Sequence, residues 1–478
     1  MKVMRRNLVG FAFLCACLAT INSQAHAWPT YRANPQRTAS DGKPGPAKPT
    51  VLWVHKSVEH YITSPVPHGE QMFISGLGAF NVSSFHSISL DPKAAADKRL
   101  LWSKTTPALK LPTVSSPAIS EGRVIFGDGM HQTDGATLHC LTLDKGMRLW
   151  QLKTPPPDRL VHLEGAPTVV GNRAYIGGGS LGVIAVDIGK LTMAGKPVEA
   201  ADIPKIMAEK WKELLAKYED EKKKDPDFAI PPTEDQLPRV SPALLWQVGQ
   251  KKWHVDAPVN VEGDQVLVGS ARLDKEMEGD RAMFLLDAKT GNEVWRASLP
   301  LNPWGGASVL DKTAVVTGSS IGYYPAQLKG AKGEIAALEL GSGKDIWRKE
   351  VQGGVPSCAT LADDLAICTA TDGKVRAFDL KTGDRRWIFD AKTPFFAPVA
   401  VSAGVVYAGD LAGVIYAIDL KDGTEKWRLD LGNDPAVKSP GMVYGGPVVH
   451  NGRVYVATCN PEGAFSGKPT VIVCIGEK

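Results

Sequence analysis

The chain is short of charge imbalance, of long apolar runs and of cysteine, and each shortage removes a class of function. Residues 1–27 carry three of the 55 Lys and Arg (Lys2, Arg5 and Arg6) and no acid, which leaves 52 basic against 51 acidic residues in the remainder. No basic field gathers phosphates, so nucleic acid is not expected as a partner. No stretch reaches the ~18 apolar residues a membrane-spanning helix needs. Cys-x-x-Cys, Cys-x-x-Cys-His and His-Glu-x-x-His patterns are missing, so structural zinc, attached haem and a zincin centre lack support and no metal is expected. Five cysteines lie beyond residue 27: Cys140, Cys358, Cys368, Cys459 and Cys474. The odd number leaves at least one unpaired in an oxidising compartment. Buried free thiols are the simpler reading, and a Cys358–Cys368 bridge across a hairpin is the alternative.

The first 27 residues read as an export signal. A basic start precedes an apolar run over 8–21, and Ala25-His26-Ala27 supplies a small-x-small cleavage site, so the mature chain is expected to begin at Trp28. Leu14-Cys15-Ala16-Cys17 is a weak lipoprotein box. A periplasmic or extracellular location is therefore expected, with an outer-membrane lipoprotein the weaker option.

What the chain has in quantity is a repeat. A tryptophan closes a short strand at Trp53, Trp102, Trp150, Trp246, Trp295, Trp347, Trp387 and Trp427, at intervals of 49, 48, 96, 49, 52, 40 and 40 residues. The clearest copies are LLDAKTGNEVW, ALELGSGKDIW, AFDLKTGDRRW and AIDLKDGTEKW, each with Gly four residues before the Trp. Each unit holds four β-branched and aromatic runs separated by Gly, Asp and Ser turns, the size of a four-stranded propeller blade. After Trp427 only three strands remain, while a fourth stands alone around Trp53. One blade is then built from both ends of the chain, which closes the ring and removes its free edges.

The expected fold is thus all-β: an eight-bladed propeller over 50–478, preceded by an N-terminal extension at 28–49. One helical insertion, 189–243, interrupts the third blade. Within it Met207, Trp211, Leu214, Leu215 and Tyr218 form one helical stripe, Asp202 is placed to cap the start, and the stripe is expected to cover the edge of its own blade.

In an up-and-down blade, the connections between blades share one face with the loops joining second and third strands. Nearly all the long loops belong to that face, and they mix aromatic with polar residues. Trp304, Tyr323, Tyr324, Phe395, Phe396, Tyr444, His131 and Asn460 are the expected partner-binding residues. His131 and His139 read more simply as a loop and a strand residue than as ligands. GGGSLG at 177–182 and GSSIG around Ser320 match dinucleotide and nucleophile-elbow patterns, but both link strands of a blade instead of opening a helix.

The Trp-terminated repeat resembles the PQQ-like propeller family over roughly residues 50 to 476. Within that group the chain is similar to the propeller component of the outer-membrane β-barrel assembly machinery. The resemblance implies a non-catalytic scaffold binding a protein or polymer of the cell envelope; a monomer with no catalytic residues and no cofactor is expected. PQQ-dependent oxidoreduction with calcium and glycan binding are the alternatives. The family's quinone clamp uses adjacent cysteines and a stacking Trp, and no adjacent pair occurs after residue 27.

Overall fold

The computed structural model describes residues 28–477 except 132, 134, 154–161, 276 and 323–326. The export signal and the lipoprotein box therefore lie outside the described residues, as do Tyr323 and Tyr324.

Eight antiparallel sheets form the ring. Blades 1 to 7 span residues 66–105, 118–152, 168–248, 260–298, 307–352, 360–390 and 400–430. Blade 8 joins three strands from 448–476 to Thr50–Ser57, which pairs with Thr470–Gly476 from Thr50↔Gly476 to Ser57↔Thr470. The chain's two ends are thus zipped along one ladder, and no sheet edge is left at the join.

The repeated tryptophans lock each blade to the next. The indole Nε1 donates to a backbone carbonyl of the following blade from Trp102 (Leu143 O, 2.9 Å), Trp246 (Ala288 O, 3.1 Å), Trp295 (Leu340 O, 2.8 Å), Trp347 (Leu380 O, 2.9 Å) and Trp387 (Leu420 O, 2.8 Å). Trp427 closes the series on Pro46 O at 2.9 Å. The repeated glycine is the platform for this contact. Gly146, Gly291, Gly343, Gly383 and Gly423 have φ between 62° and 77°, and a Cβ on any of them would fall 2.5–2.8 Å from the Trp of the preceding blade. Only a residue without a side chain satisfies both conditions. Trp53 and Trp150 have a buried Nε1 without a partner, and they face the two blades whose third turn departs from the pattern. Arg99 from the lengthened turn stacks on Trp53 at 4.1 Å, and Trp150 packs with Ile203 and Met207 of the insertion.

The insertion holds helix α1, Ile203–Lys224. Its first turns bury Ile203 and Met207, and Trp211 and Leu214 are half-buried, in a cluster with Leu149 and Leu152 of blade 2 and Leu191 and Val240 of blade 3. The stripe therefore bridges to the outer strand of blade 2 rather than covering the edge of its own blade alone. Leu215 stays 41% exposed. Asp202 occupies the N-cap position but its side chain makes no capping bond. The third strand of blade 3 continues past Asp187 to Met193, absorbing a register shift, before the chain leaves the sheet.

The extension at 28–49 is no loose tail. It crosses the channel and offers its carbonyls to the backbone N–H of six inner strands in order around the ring. Ile119, Val169, Val309, Leu361, Val401 and Val449 donate to Trp28, Pro29, Pro35, Gln36, Thr38 and Ala39 at 2.7–2.9 Å. An open inner edge is thereby converted into paired backbone. Two arginines rise from this plug with almost no exposure. Arg37 donates to Thr30 Oγ1, Tyr31 O, Val259 O and Ala307 O, and Arg32 to Arg37 O, Ser64 Oγ and Val399 O. Neither forms an ion pair among the described residues. Burial, with a lesser push from the charge of Arg32, pulls the Arg37 guanidinium down to about 10 against smaller opposing effects of Cys358 and Tyr31.

Candidate functional site

The plug bonds to the inner strands beside the hairpin turns, and the long loops lie on the other face. Three connections from blades 2, 3 and 4 meet there. His131 comes from the loop between the second and third strands of blade 2, His162 from the link between blades 2 and 3, and His254 from the link between blades 3 and 4. Each imidazole offers a nitrogen within 4.8 Å of a nitrogen on the other two. The ring centroids lie 5.3–5.8 Å apart.

Asp256 organises two of the three. Its Oδ1 accepts from His162 Nε2 and its Oδ2 from His254 Nε2, both at 2.8 Å. A carboxylate that receives both Nε2–H groups leaves each ring its Nδ1 as the free position. Both Nδ1 atoms are buried without a hydrogen-bond partner. An orphaned buried polar atom costs on the order of 1–3 kcal/mol, so a pair of them in one cluster calls for an explanation.

The backbone is shaped for this arrangement. Val255 exchanges both backbone hydrogen bonds with Gly179, at 3.0 and 3.1 Å, which pins the His254-Val255-Asp256 segment to the glycine-rich turn of blade 3. A Cβ on Gly179 would stand 2.3 Å from His162 Nε2. The run at 177–182 is therefore a seat for an imidazole, not a phosphate cradle.

Carboxylates surround the cluster on its solvent side. Glu164 accepts the backbone N–H of His131, and Glu278 lies 3.9 Å from His254 Nδ1. Burial, reinforced by the charge of Asp256, raises the Glu164 carboxyl to about 7. Burial would also raise Asp256, but its two histidine bonds outweigh that and hold it well below the ordinary range. Burial lowers His162 and His254, and the Asp256 hydrogen bond and charge more than compensate, leaving both raised.

The aromatic anchors fare differently. Phe395 and Phe396 have no exposure, Tyr444 has 7% and Asn460 1%. Phe395 fills the core between blades 6 and 7, and Phe396 meets Tyr444 edge-on at 5.1 Å in an apolar cluster with Ile321, Met442 and Cys459. Asn460 spends its amide on the carbonyls of Pro440, Lys468 and Pro469. The reading of these four as contact residues is corrected: the loops need their own interiors filled, and these side chains fill them. Trp304 remains partly exposed. His131 belongs to the histidine cluster instead of standing as an isolated loop residue, whereas His139 is the strand residue expected, closed off by Asp128 at 2.7 Å and Gln151 at 3.1 Å. His162, His254, Asp256 and Glu164 were missed. The signal for them was a histidine-x-acid pair, His162-Leu163-Glu164 and His254-Val255-Asp256, repeated just before the inner strands of two successive blades.

The residues do not fit a quinone clamp. All five described cysteines are buried free thiols, three on different strands and Cys358 and Cys459 in connections, so no disulfide of adjacent cysteines can form. No helix among the described residues is long and apolar enough to cross a membrane.

Comparison with known proteins agrees with this architecture. Among curated relatives, the outer membrane protein assembly factor BamB of Burkholderia pseudomallei is 30% identical over 185 residues, 38% of this chain and 42% of the relative. That of Shewanella oneidensis is 25% identical over 147 residues, 30% of this chain and 37% of the relative. The chain thus matches well under half the length of either. Among solved structures, BamB from Moraxella catarrhalis superposes with a TM-score of 0.57 at 15% identity, covering 90% of this chain and 98% of that one. A quinohemoprotein alcohol dehydrogenase from Comamonas testosteroni gives 0.60 at 14% identity, covering 95% and 81%. Both likenesses establish the fold alone. The family model described as outer membrane protein assembly factor BamB matches residues 47–196 and 280–468, which is most of the ring, and the chain belongs to that family.

Proposed function

We propose that this protein is an exported, non-catalytic propeller that binds a protein partner of the cell envelope through its loop-bearing face. The observation that carries this reading is the asymmetry of the ring in a member of this family. The turn-bearing face is sealed by the plug, which consumes the inner-strand N–H groups a ligand would otherwise pair with. The opposite face keeps long loops on a rigid scaffold, where recognition residues collect. Among the described loop aromatics expected as anchors, Trp304 is the one left partly exposed to a partner.

A photo-activated cross-linker placed at position 304, with the same group at Asp363 in a hairpin turn of the plugged face, tests the assignment in living cells. Discrete adducts with an envelope protein from position 304 and none from 363 are expected. Equal labelling from both positions, or from 363 alone, would sink it. Replacement of Trp304 by Ala should abolish the adduct formed from a neighbouring loop position while the melting transition is kept.

A further inference from the structure

We propose that His131, His162 and His254 hold one divalent transition-metal ion of the zinc class on the loop-bearing face, with Asp256 as the carboxylate that orients two of the three rings. This site is independent of the partner-binding reading above. Three imidazoles drawn from three separate connections, each with a nitrogen within 4.8 Å of the others, form a donor set with a common centre. Zinc–nitrogen bonds of roughly 2.0–2.1 Å put tetrahedral nitrogens about 3.4 Å apart, so the rings close on an ion by drawing in about an ångström.

The arrangement behind the rings fits such an ion. Metal-bound histidines characteristically give their other N–H to a carboxylate, which fixes the tautomer and aims the lone pair. Asp256 does this for two rings at once, at 2.8 Å each, and the Nδ1 atoms it leaves over are buried without a hydrogen bond, that of His254 having only Glu278 at 3.9 Å. His86 also keeps a buried Nδ1 unbonded with its Nε2 on a carboxylate, so what sets this cluster apart is that three imidazoles converge on one centre. Neutral nitrogen donors select zinc, copper or nickel over calcium and magnesium, which take oxygen. Gly179 removes the one side chain that would collide with His162, at 2.3 Å from Nε2. Glu164 accepts the backbone N–H of His131 and so ties the most exposed ligand to the same connection as His162. The partly exposed residues of the cluster, His131, Glu164 and Glu278, mark the side from which an ion enters and a fourth ligand binds.

The experiment uses the full chain purified without a polyhistidine tag, stripped with a chelator and titrated with Zn²⁺ against a chromophoric competitor. A parallel titration with Cu²⁺ and the visible absorption of the Co²⁺ form accompany it. One equivalent is expected, with a tetrahedral cobalt spectrum and a rise in melting temperature on adding zinc. His162→Ala and His254→Ala should each weaken binding by at least 100-fold, and Asp256→Asn by about 10- to 100-fold, because an amide can accept from one Nε2–H but not both. Copper should occupy the same site and be lost in the same variants. His131→Ala lies on a partly exposed loop and leaves the Asp256 network whole. It should fold with an unchanged metal-free melting temperature, lose zinc affinity at least 10-fold and lose the zinc-dependent stabilisation. No stoichiometric uptake by the wild-type chain, or uptake that all three histidine variants retain, would overturn the site and leave an adventitious ion only.

Discussion

The two faces of this ring solve the same problem in opposite ways. Each must deal with polar groups at the end of a channel that eight inner strands leave open. The turn-bearing face pairs its inner edge internally: a segment of its own chain bonds to six inner strands, and two buried arginines find seven acceptors between them, most of them carbonyls. The loop-bearing face leaves groups unsatisfied, the Nδ1 atoms of His162 and His254 and the Nε1 of Trp304. Regularity marks the first face as well. The interblade Trp bonds and their glycine platforms all lie there, because the third turn of each blade does. Backbone pairing by the plug stabilises a scaffold, and two orphaned imidazole nitrogens beside a third imidazole point to something that arrives later.

The strongest way to break this contrast is to unpick the plug. Arg37→Ala would remove four hydrogen bonds and a large buried side chain, with Thr30 Oγ1, Val259 O and Ala307 O each keeping a bond from Thr168 or Asn260. A loss of about 3 kcal/mol is expected in urea unfolding, since four hydrogen bonds at roughly 1 kcal/mol each and the packing of a large side chain are lost while relief of the buried charge returns part of the total. Arg37→Met, which keeps the volume, should lie between the two. If Arg37→Ala unfolded within ~1 kcal/mol of wild type, the plug would be decoration rather than a staple.

A smaller effect separates two glycines of the same blade. Gly179 on the loop face and Gly171 in a turn of the plugged face have similar φ values, +57° and +54°. Replacing either by Ala incurs the left-handed penalty of roughly 1–2 kcal/mol. Gly171 has open space around it, whereas at Gly179 the new Cβ must displace the His162 ring. Gly179→Ala should therefore melt lower than Gly171→Ala, and it alone should disturb the histidine resonances in NMR spectra. Equal shifts for the two would mean that the seat under His162 is not tight.

How much of this was legible beforehand follows from what each feature depends on. The blades were readable because a propeller repeats one local problem, and the Gly and Trp of that problem recur at fixed spacing. Ring closure followed from counting strands at the two ends. The plug could not be read, since its bonds run through backbone carbonyls and carry no side-chain pattern. A stretch such as Asn34-Pro35-Gln36-Arg37 has the composition of a tail. The aromatic loop residues misled for a related reason: Phe395 and Phe396 look the same in sequence whether they fill a loop or face a partner, and only packing separates the cases. The histidines are spread from 131 to 254 and meet only when three connections converge. Their one local trace was the repeated histidine-x-acid pair, invisible to a search for metal motifs on a single element.

The finest test of the contrast lies in the interblade locks of the regular face. Trp387 and Trp150 occupy equivalent positions at the ends of blades 6 and 2, and both are buried. Trp387 Nε1 donates to Leu420 O at 2.8 Å, while Trp150 Nε1 has no acceptor because the following blade carries the insertion in place of the usual turn. Replacement by Phe removes similar apolar surface at both sites. At Trp387 it also leaves a buried carbonyl without its donor, while at Trp150 it removes an N–H that was already unsatisfied. The Trp387→Phe variant should be the less stable of the two by about 1 kcal/mol, the net worth of one such bond, as read from paired denaturant titrations. Were the order reversed, the regular face would owe its stability to ring packing alone, and the carbonyl that every intact repeat aims at the preceding tryptophan would be without consequence.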